Sequence, residues 1–205
     1  MYLSGACKVM KVAGQVENVT MANKSAHERF EAIYARVRDP LHRYLSRRAS
    51  ADSVDDLFTE VLIVLWRRLE DVPDGGEVPW ALAVARRTLS NHRRAHSRFA
   101  RLLAKLALFE PGVDPGPEPR GGDPDLEQAL ATLRESDREV LRLFAWEELT
   151  TGEIGVVLGL SANAAGVRLH RAKERLRNAL ANAGKENKRP GQEGDVERKE
   201  VRDER

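Results

Sequence analysis

The sequence predicts an all-α chain built as two small helical domains joined by a flexible Pro/Gly-rich linker. Three observations predict this. Apolar residues recur at spacings of three and four in both halves, and no alternating run suggests a sheet. Residues 110–124 read EPGVDPGPEPRGGDP, in which nine of fifteen positions are Pro or Gly, a composition that no packed interior tolerates. With 205 residues, 41% hydrophobic and 32% charged, the chain suits small helical units better than one large continuous core.

In chain order, residues 1–25 show little periodicity and are expected to be a disordered leader, with Met21 an alternative translation start. Residues 26–109 form the first expected domain. Within it, Ala26 to Val37 places Phe30, Ile33, Tyr34 and Val37 on one helical face. Pro40 punctuates that helix, and Leu41, Tyr44 and Leu45 begin another. Ser53 to Glu70 is the clearest amphipathic helix of this half, with Leu57, Phe58, Val61, Leu62, Leu65, Trp66 and Leu69 on one stripe. Asp71 to Pro79 is a loop, and a basic helix starts at Trp80.

After the linker, residues 125–183 form the second expected domain. Ser136 with Glu139, and Thr150 with Glu153, stand at capping-box spacing and mark two helix starts. Gly159 breaks the second of these helices, Leu160 fills the turn, and Ser161 can cap the helix that follows. That last helix buries Ala165, Leu169, Ala172, Leu176 and Leu180, and shows Ala164, Arg168, Arg171 and Arg175 on another side. Two helices across a Gly-containing turn, apolar inside and basic outside, are the helix-turn-helix design. Residues 184–205 are charged and poor in apolar groups, and are expected to be a disordered tail.

The net charge of +2 conceals strong segregation. From Trp80 to Leu106 there are seven Lys or Arg and no Asp or Glu. From Ser161 to Asn178 five cations face one acid, Glu174. Asp52, Asp55, Asp56 and Glu60 meet no cation in their own segment. Arg86, Arg87, Arg93 and Arg94 suit phosphates, Asn91 suits base edges or sugar, and Trp80 suits stacking on an unpaired base. A solvated surface helix would usually mix its signs more evenly.

Other chemistries find little support. The single Cys7 excludes an intramolecular disulfide and fits a reducing cytoplasm. No apolar run approaches a membrane span, so no membrane insertion is expected. His92 and His96 have ligand spacing, but Arg93 and Arg94 between them would repel a dication. No metal, no cofactor and no catalytic constellation is expected.

Taken together, residues 30–180 resemble an extracytoplasmic-function (ECF) sigma factor of the bacterial sigma-70 family. The stretches that carry the resemblance are DLFTEVLIVLW (Asp56–Trp66), WALAVARRTLSNHRR (Trp80–Arg94) and Leu133–Leu176. It implies a σ2-like first domain and a σ4-like second domain. By similarity Asp56, Leu57, Glu60, Val61 and Trp66 would contact core RNA polymerase at its β′ clamp. Trp80, Arg86, Arg87, Asn91, Arg93 and Arg94 would bind the −10 promoter element, and the Asp71–Pro79 loop would help hold a flipped base. Ser161, Asn163, Arg168, His170 and Arg171 would read the −35 element, with the β flap as a further polymerase contact. The resemblance also implies an anti-sigma factor as partner, cytoplasmic action beside the nucleoid, and no enzymatic activity. Arg87 and Asn91 stand where the group often has Asn and Asp, and Gly166 where it often has Arg or Lys. The competing expectation is a stand-alone helix-turn-helix regulator.

Overall fold

The computed structural model describes residues 4–105 and 123–186, with side chains over 24–102 and 123–182. Among the described residues every element is helical: α1 (Ser4–Ser46), α2 (Ala51–Arg67), a short 3-10 turn (Leu69–Asp71), α3 (Glu77–Lys105), α4 (Pro124–Thr132), α5 (Glu135–Ala145), α6 (Thr151–Leu158) and α7 (Ala162–Glu186). Most of the expected linker and the tail beyond Glu186 lie outside the described residues.

Helix α1 departs from expectation twice. Its backbone is helical from Ser4, within the stretch read as a disordered leader; no proline occurs before Pro40 to interrupt it. It also runs through Pro40, which was expected to separate two helices. A helix-interior proline costs about 3 kcal/mol. Ile33, Val37, Leu41, Tyr44 and Leu45, all 5% exposed or less, continue one buried face across the break. Each buried large apolar side chain contributes about 1.5–3 kcal/mol, so packing outweighs the lost hydrogen bond.

Helix α2 buries Val54, Leu57, Val61 and Leu65 at helical spacing. Helix α3 follows a turn in which Gly75 takes φ +74°, and it buries Ala81, Leu82, Ala85 and Leu89 before every residue from Asn91 to Phe99 becomes exposed. In the second half, Asp123 caps α4 by accepting from the Asp125 amide at 3.0 Å, with Pro124 in the first turn. Thr150 and Glu153 form the expected capping box, and Gly159 ends α6 in the left-handed conformation at φ +68°. Ser161 Oγ accepts from the Ala164 amide at 3.2 Å and so caps α7. The other expected cap does not form: Arg134 precedes α5, without a side-chain cap, and Ser136 lies inside its first turn.

The two halves do not stand apart. One buried apolar cluster runs from Leu41, Leu57 and Leu89 to Val140, Ile154 and Ala172, and α6 packs on α3. A second cluster, of Ile33, Val37, Leu65, Leu69, Val72 and Ala81, lies beside the turn of residues 72–76; the loop expected to reach Pro79 is shorter, because α3 begins at Glu77 and not at Trp80.

Candidate nucleic-acid and polymerase surfaces

The spacing Arg86, Ser90, Arg93, Ser97 places these residues on one face of α3, with Arg94 and Arg101 beside them. Arg86, Arg87, Asn91, Arg93 and Arg94 are all exposed. Arg94 is pre-positioned, donating to the Ser90 carbonyl at 3.2 Å and to Ser90 Oγ at 2.8 Å. Arg93 reaches the Arg48 carbonyl at 2.9 Å. This face lines a cleft of about 870 Å³ whose far wall is Glu135, Glu139, Arg142 and Val156–Gly159. Trp80 is half-buried at the start of α3, with the Arg68 guanidinium 5.7 Å from its ring centroid.

The N-terminal turns of α7 carry Asn163, His170 and Arg171 around a shallow hollow completed by Thr151, Ala162, Gly166 and Val167. Gly166 makes that hollow: a Cβ there would meet only Thr151 Cγ2, at 3.9 Å. Arg168 is exposed outside the hollow, and Ser161 is exposed while capping the helix. Arg175, on the same basic stripe, is drawn inward to Asp137 at 2.6 Å, so it ties α7 to α5.

On α2, Asp52, Asp55, Asp56 and Glu60 are exposed, and Ile63 and Trp66 add 45% and 46% exposed apolar side chains. Trp66 therefore sits at the edge of its stripe, edge-on to Phe30 at 5.2 Å and to His27 at 6.3 Å. Leu57 and Val61 correct the sequence-based set of polymerase contacts. At 1% and 0% exposure they point into the core and hold α2 in place, leaving no surface for a partner.

Sequence reasoning missed the buried charges. Arg48 is 5% exposed and donates to Glu139 at 3.2 Å, to Glu147 at 2.9 Å and to the Tyr44 carbonyl at 3.1 Å. Its guanidinium lies 3.8 Å from the Tyr44 ring centroid. Burial works against its charge, but Glu139, Tyr44 and Glu147 outweigh burial and raise its pKa. Burial, reinforced by the Glu139 charge, pushes the Tyr44 hydroxyl up as well, so it stays protonated and donates to Glu139 at 3.2 Å.

Glu77 was missed too. It is 6% exposed at the head of α3 and pairs with Arg36. Burial would raise its pKa; the backbone amides of Glu77 and Gly75, together with Arg36, overcome this and lower it. A lowered folded-state pKa contributes stability that is present above the unfolded value near 4.5 and lost as pH falls through the folded value. Glu77→Gln is expected to destabilise the protein by about 1–3 kcal/mol at neutral pH. The gap to wild type should close in urea melts taken progressively below that value, and a gap independent of pH would refute the assignment.

These surfaces coincide with known sequence regions. The family model for sigma-70 region 2 matches residues 33–99, and that for sigma-70 region 4 matches residues 124–176. The RNA polymerase sigma factor CarQ of Myxococcus xanthus is 31% identical over 162 residues, which cover 76% of this chain and 91% of CarQ. This chain belongs to the sigma-70 family. The ECF RNA polymerase sigma factor SigF of Caulobacter vibrioides is 32% identical over 147 residues, covering 70% of this chain and 80% of SigF. The sigma factor RpoE of Bartonella quintana, solved in complex with the anti-sigma factor NepR, is 19% identical, with a TM-score of 0.48 over 78% of this chain and 96% of that one.

The protein is thus an ECF sigma factor, a transcription initiation factor of a kind that is generally not enzymatic. Region 2 spans the acidic α2 and most of the basic face of α3, and region 4 spans the helix-turn-helix. Matches to both regions do not favour a stand-alone regulator. None of the described helices is long and apolar enough to cross a membrane.

Proposed function

We propose that this sigma factor gives core RNA polymerase its promoter specificity through two separate DNA contacts and one acidic docking face. Helix α3 binds the −10 element, where Arg86, Arg87, Arg93 and Arg94 neutralise phosphates, Asn91 contacts base or sugar, and Trp80 with the Asp71–Pro79 loop holds an unpaired base. Helix α7 enters the major groove of the −35 element with Asn163, His170, Arg171 and the flanking Arg168, while Ser161 positions its N-terminus. The outer face of α2, with Asp56, Glu60 and Trp66, docks on the β′ clamp, and the second half meets the β flap. Residues 26–109 and 125–183 act as the two working units and residues 110–124 as their connection.

The observation that carries this reading is the sorting of exposed charge. Cations gather on one helix of each matched region, and α2 gathers carboxylates. A basic helix in each half suits two DNA elements read together; the acidic face suits a protein partner. The chain supplies recognition and no bond-making chemistry of its own, acts in the cytoplasm beside the nucleoid, and is held in reserve by an anti-sigma factor.

Runoff transcription with core polymerase and a promoter library tests the proposal. Addition of the protein should produce a defined set of start sites, and core alone should not. Arg171→Ala should weaken −35 recognition by about 1–3 kcal/mol and relax the preferred sequence at one position. Failure to initiate despite core binding would defeat the promoter assignment, and an unchanged profile with Arg171→Ala would make that arginine a bystander.

A further inference from the structure

We infer that the hollow at the start of α7 is a seat for the 5-methyl group of a pyrimidine, so that one thymine of the −35 element is read through its methyl and not through a polar edge. The inference rests on the proposed −35 contact and names the base chemistry which that contact recognises.

The seat lies on the outer side of the helix. Asn163, Gly166, Val167, His170 and Arg171 recur at spacings of three and four, away from the buried Ala165, Leu169 and Ala172. This stripe is polar towards its ends and apolar in its middle. Gly166 brings no side chain there, and Val167 beside it is 43% exposed. Ala162 stands one turn earlier, and Thr151 reaches the hollow from the first turn of α6. A Cβ on Gly166 would lie 3.9 Å from Thr151 Cγ2, an ordinary methyl-to-methyl contact. The position over Gly166 is therefore open, with the Thr151 methyl at its edge. A lone exposed valine is commonplace on a protein surface. Here it is one wall of a depression whose other central walls are a methyl, an alanine and a glycine.

One group in the major groove suits such walls. Guanine offers acceptors there, adenine an acceptor and an amine, and cytosine an amine. Thymine offers an acceptor and its C5-methyl, the sole apolar group that the four bases present in that groove. A polar edge set against Val167, Ala162 and the Thr151 methyl would lose its water and gain no partner from them. A thymine methyl loses nothing by the same move and buries apolar surface. Asn163 and Arg171, at the rim, remain for the polar edges and phosphates on either side.

The seat is also set in advance. The Thr150–Glu153 capping box fixes the turn that carries Thr151. Ser161 Oγ, accepting from the Ala164 amide at 3.2 Å, fixes the turn that carries Ala162 and Asn163. Between them the Leu160 amide donates to the Gly155 carbonyl at 2.8 Å. Walls drawn from two helices are thus held together before DNA arrives, and little ordering is left for binding to offset.

Holoenzyme assembled from core polymerase and the full chain decides the matter. Selection from a randomised duplex library yields the −35 motif. Each thymine of that motif is then replaced singly by uracil, which lacks only the methyl. At one position uracil should weaken binding about fourfold, the equivalent of about 0.8 kcal/mol for one buried methyl at about 1.4 kcal/mol per tenfold. At that position 5-methylcytosine opposite guanine should bind about fourfold tighter than cytosine, with thymine the tightest of the four. Val167→Ser should erase both differences. Val167→Thr, which keeps one methyl, should retain most of the preference, and circular dichroism melts establish that both variants fold. Uracil tolerated within twofold at every thymine overturns the seat alone. So does equal binding of cytosine and 5-methylcytosine, or a uracil effect of undiminished size in Val167→Ser. A library from which no −35 motif emerges overturns the −35 contact itself, and the seat with it.

Discussion

Gly155→Ala is expected to disable the proposed −35 contact without changing any residue assigned to it. Gly155 lies on the buried side of α6, where the chain turns back through Gly159 and donates from the Leu160 amide to the Gly155 carbonyl at 2.8 Å. A Cβ on Gly155 would stand 2.8 Å from the Leu160 carbonyl oxygen, 3.4 Å from the Ala162 nitrogen and 3.4 Å from the Ser161 carbonyl carbon. All three are backbone atoms of the turn, so no rotamer relieves the overlap. Overpacking of this kind costs about 1–3 kcal/mol, and here the neighbours cannot move without displacing the start of α7. Alanine recovers at most about 1 kcal/mol through helix propensity. A net loss of about 2 kcal/mol corresponds to a fall in Tm of about 4–8 °C for a chain of this size. Duplex binding by α7 should fall by at least tenfold, because the angle between α6 and α7 is what the added methyl disturbs. Gly152→Ala is the control: a Cβ there meets only Thr150 Oγ1, at 3.9 Å, and both properties should hold near wild type. Normal melting and normal duplex binding by Gly155→Ala would show that the turn is slack.

The turn built on Gly155 and Gly159 shows what kind of information a sequence exposes. Gly159, Thr150 with Glu153, and Ser161 act within four residues of themselves, and all three signals describe the observed α6–α7 geometry. Ser136 follows the same local rule and fails, because Arg134 already has the extended backbone that starts α5. Pro40 fails for a tertiary reason: its local cost is outweighed by burial of Leu41, Tyr44 and Leu45 against α2 and α3. The basic and acidic faces were legible because exposed charge needs no partner. The Arg48 cluster was not, since its carboxylates lie 91 and 99 residues away along the chain. In sequence Arg48 is one cation beside Arg47, and Glu139 and Glu147 are two acids among thirty-two Asp and Glu. Their burial where the two halves meet, at 3–13% side-chain exposure, separates these residues from the solvated charges around them.

The same distinction between inner and outer faces gives the largest expected effect on polymerase binding. Helix α2 turns Val54, Leu57, Val61 and Leu65 inward and keeps Asp52, Asp55, Asp56 and Glu60 in solvent. Asp56 and Glu60, one helical turn apart, are both exposed, and neither forms an ion pair among the described residues. Exposed substitutions of this kind usually move stability by no more than about 0.5 kcal/mol. A docking partner that accepts carboxylates on this face would instead meet two like charges, a juxtaposition worth several kcal/mol. Asp56→Arg/Glu60→Arg should therefore weaken core binding by about 100-fold or more, at roughly 1.4 kcal/mol per tenfold, with Tm unchanged. Leu57→Ala makes the contrast. Its side chain is 1% exposed, so truncation should cost about 2–5 kcal/mol of stability and reduce core binding only in proportion to unfolding. Fluorescence anisotropy of labelled protein titrated with core, read beside thermal melts, separates a lost contact from a lost fold. Full core affinity in the charge-reversed protein would remove α2 as the docking face and leave its carboxylates as a solvated surface.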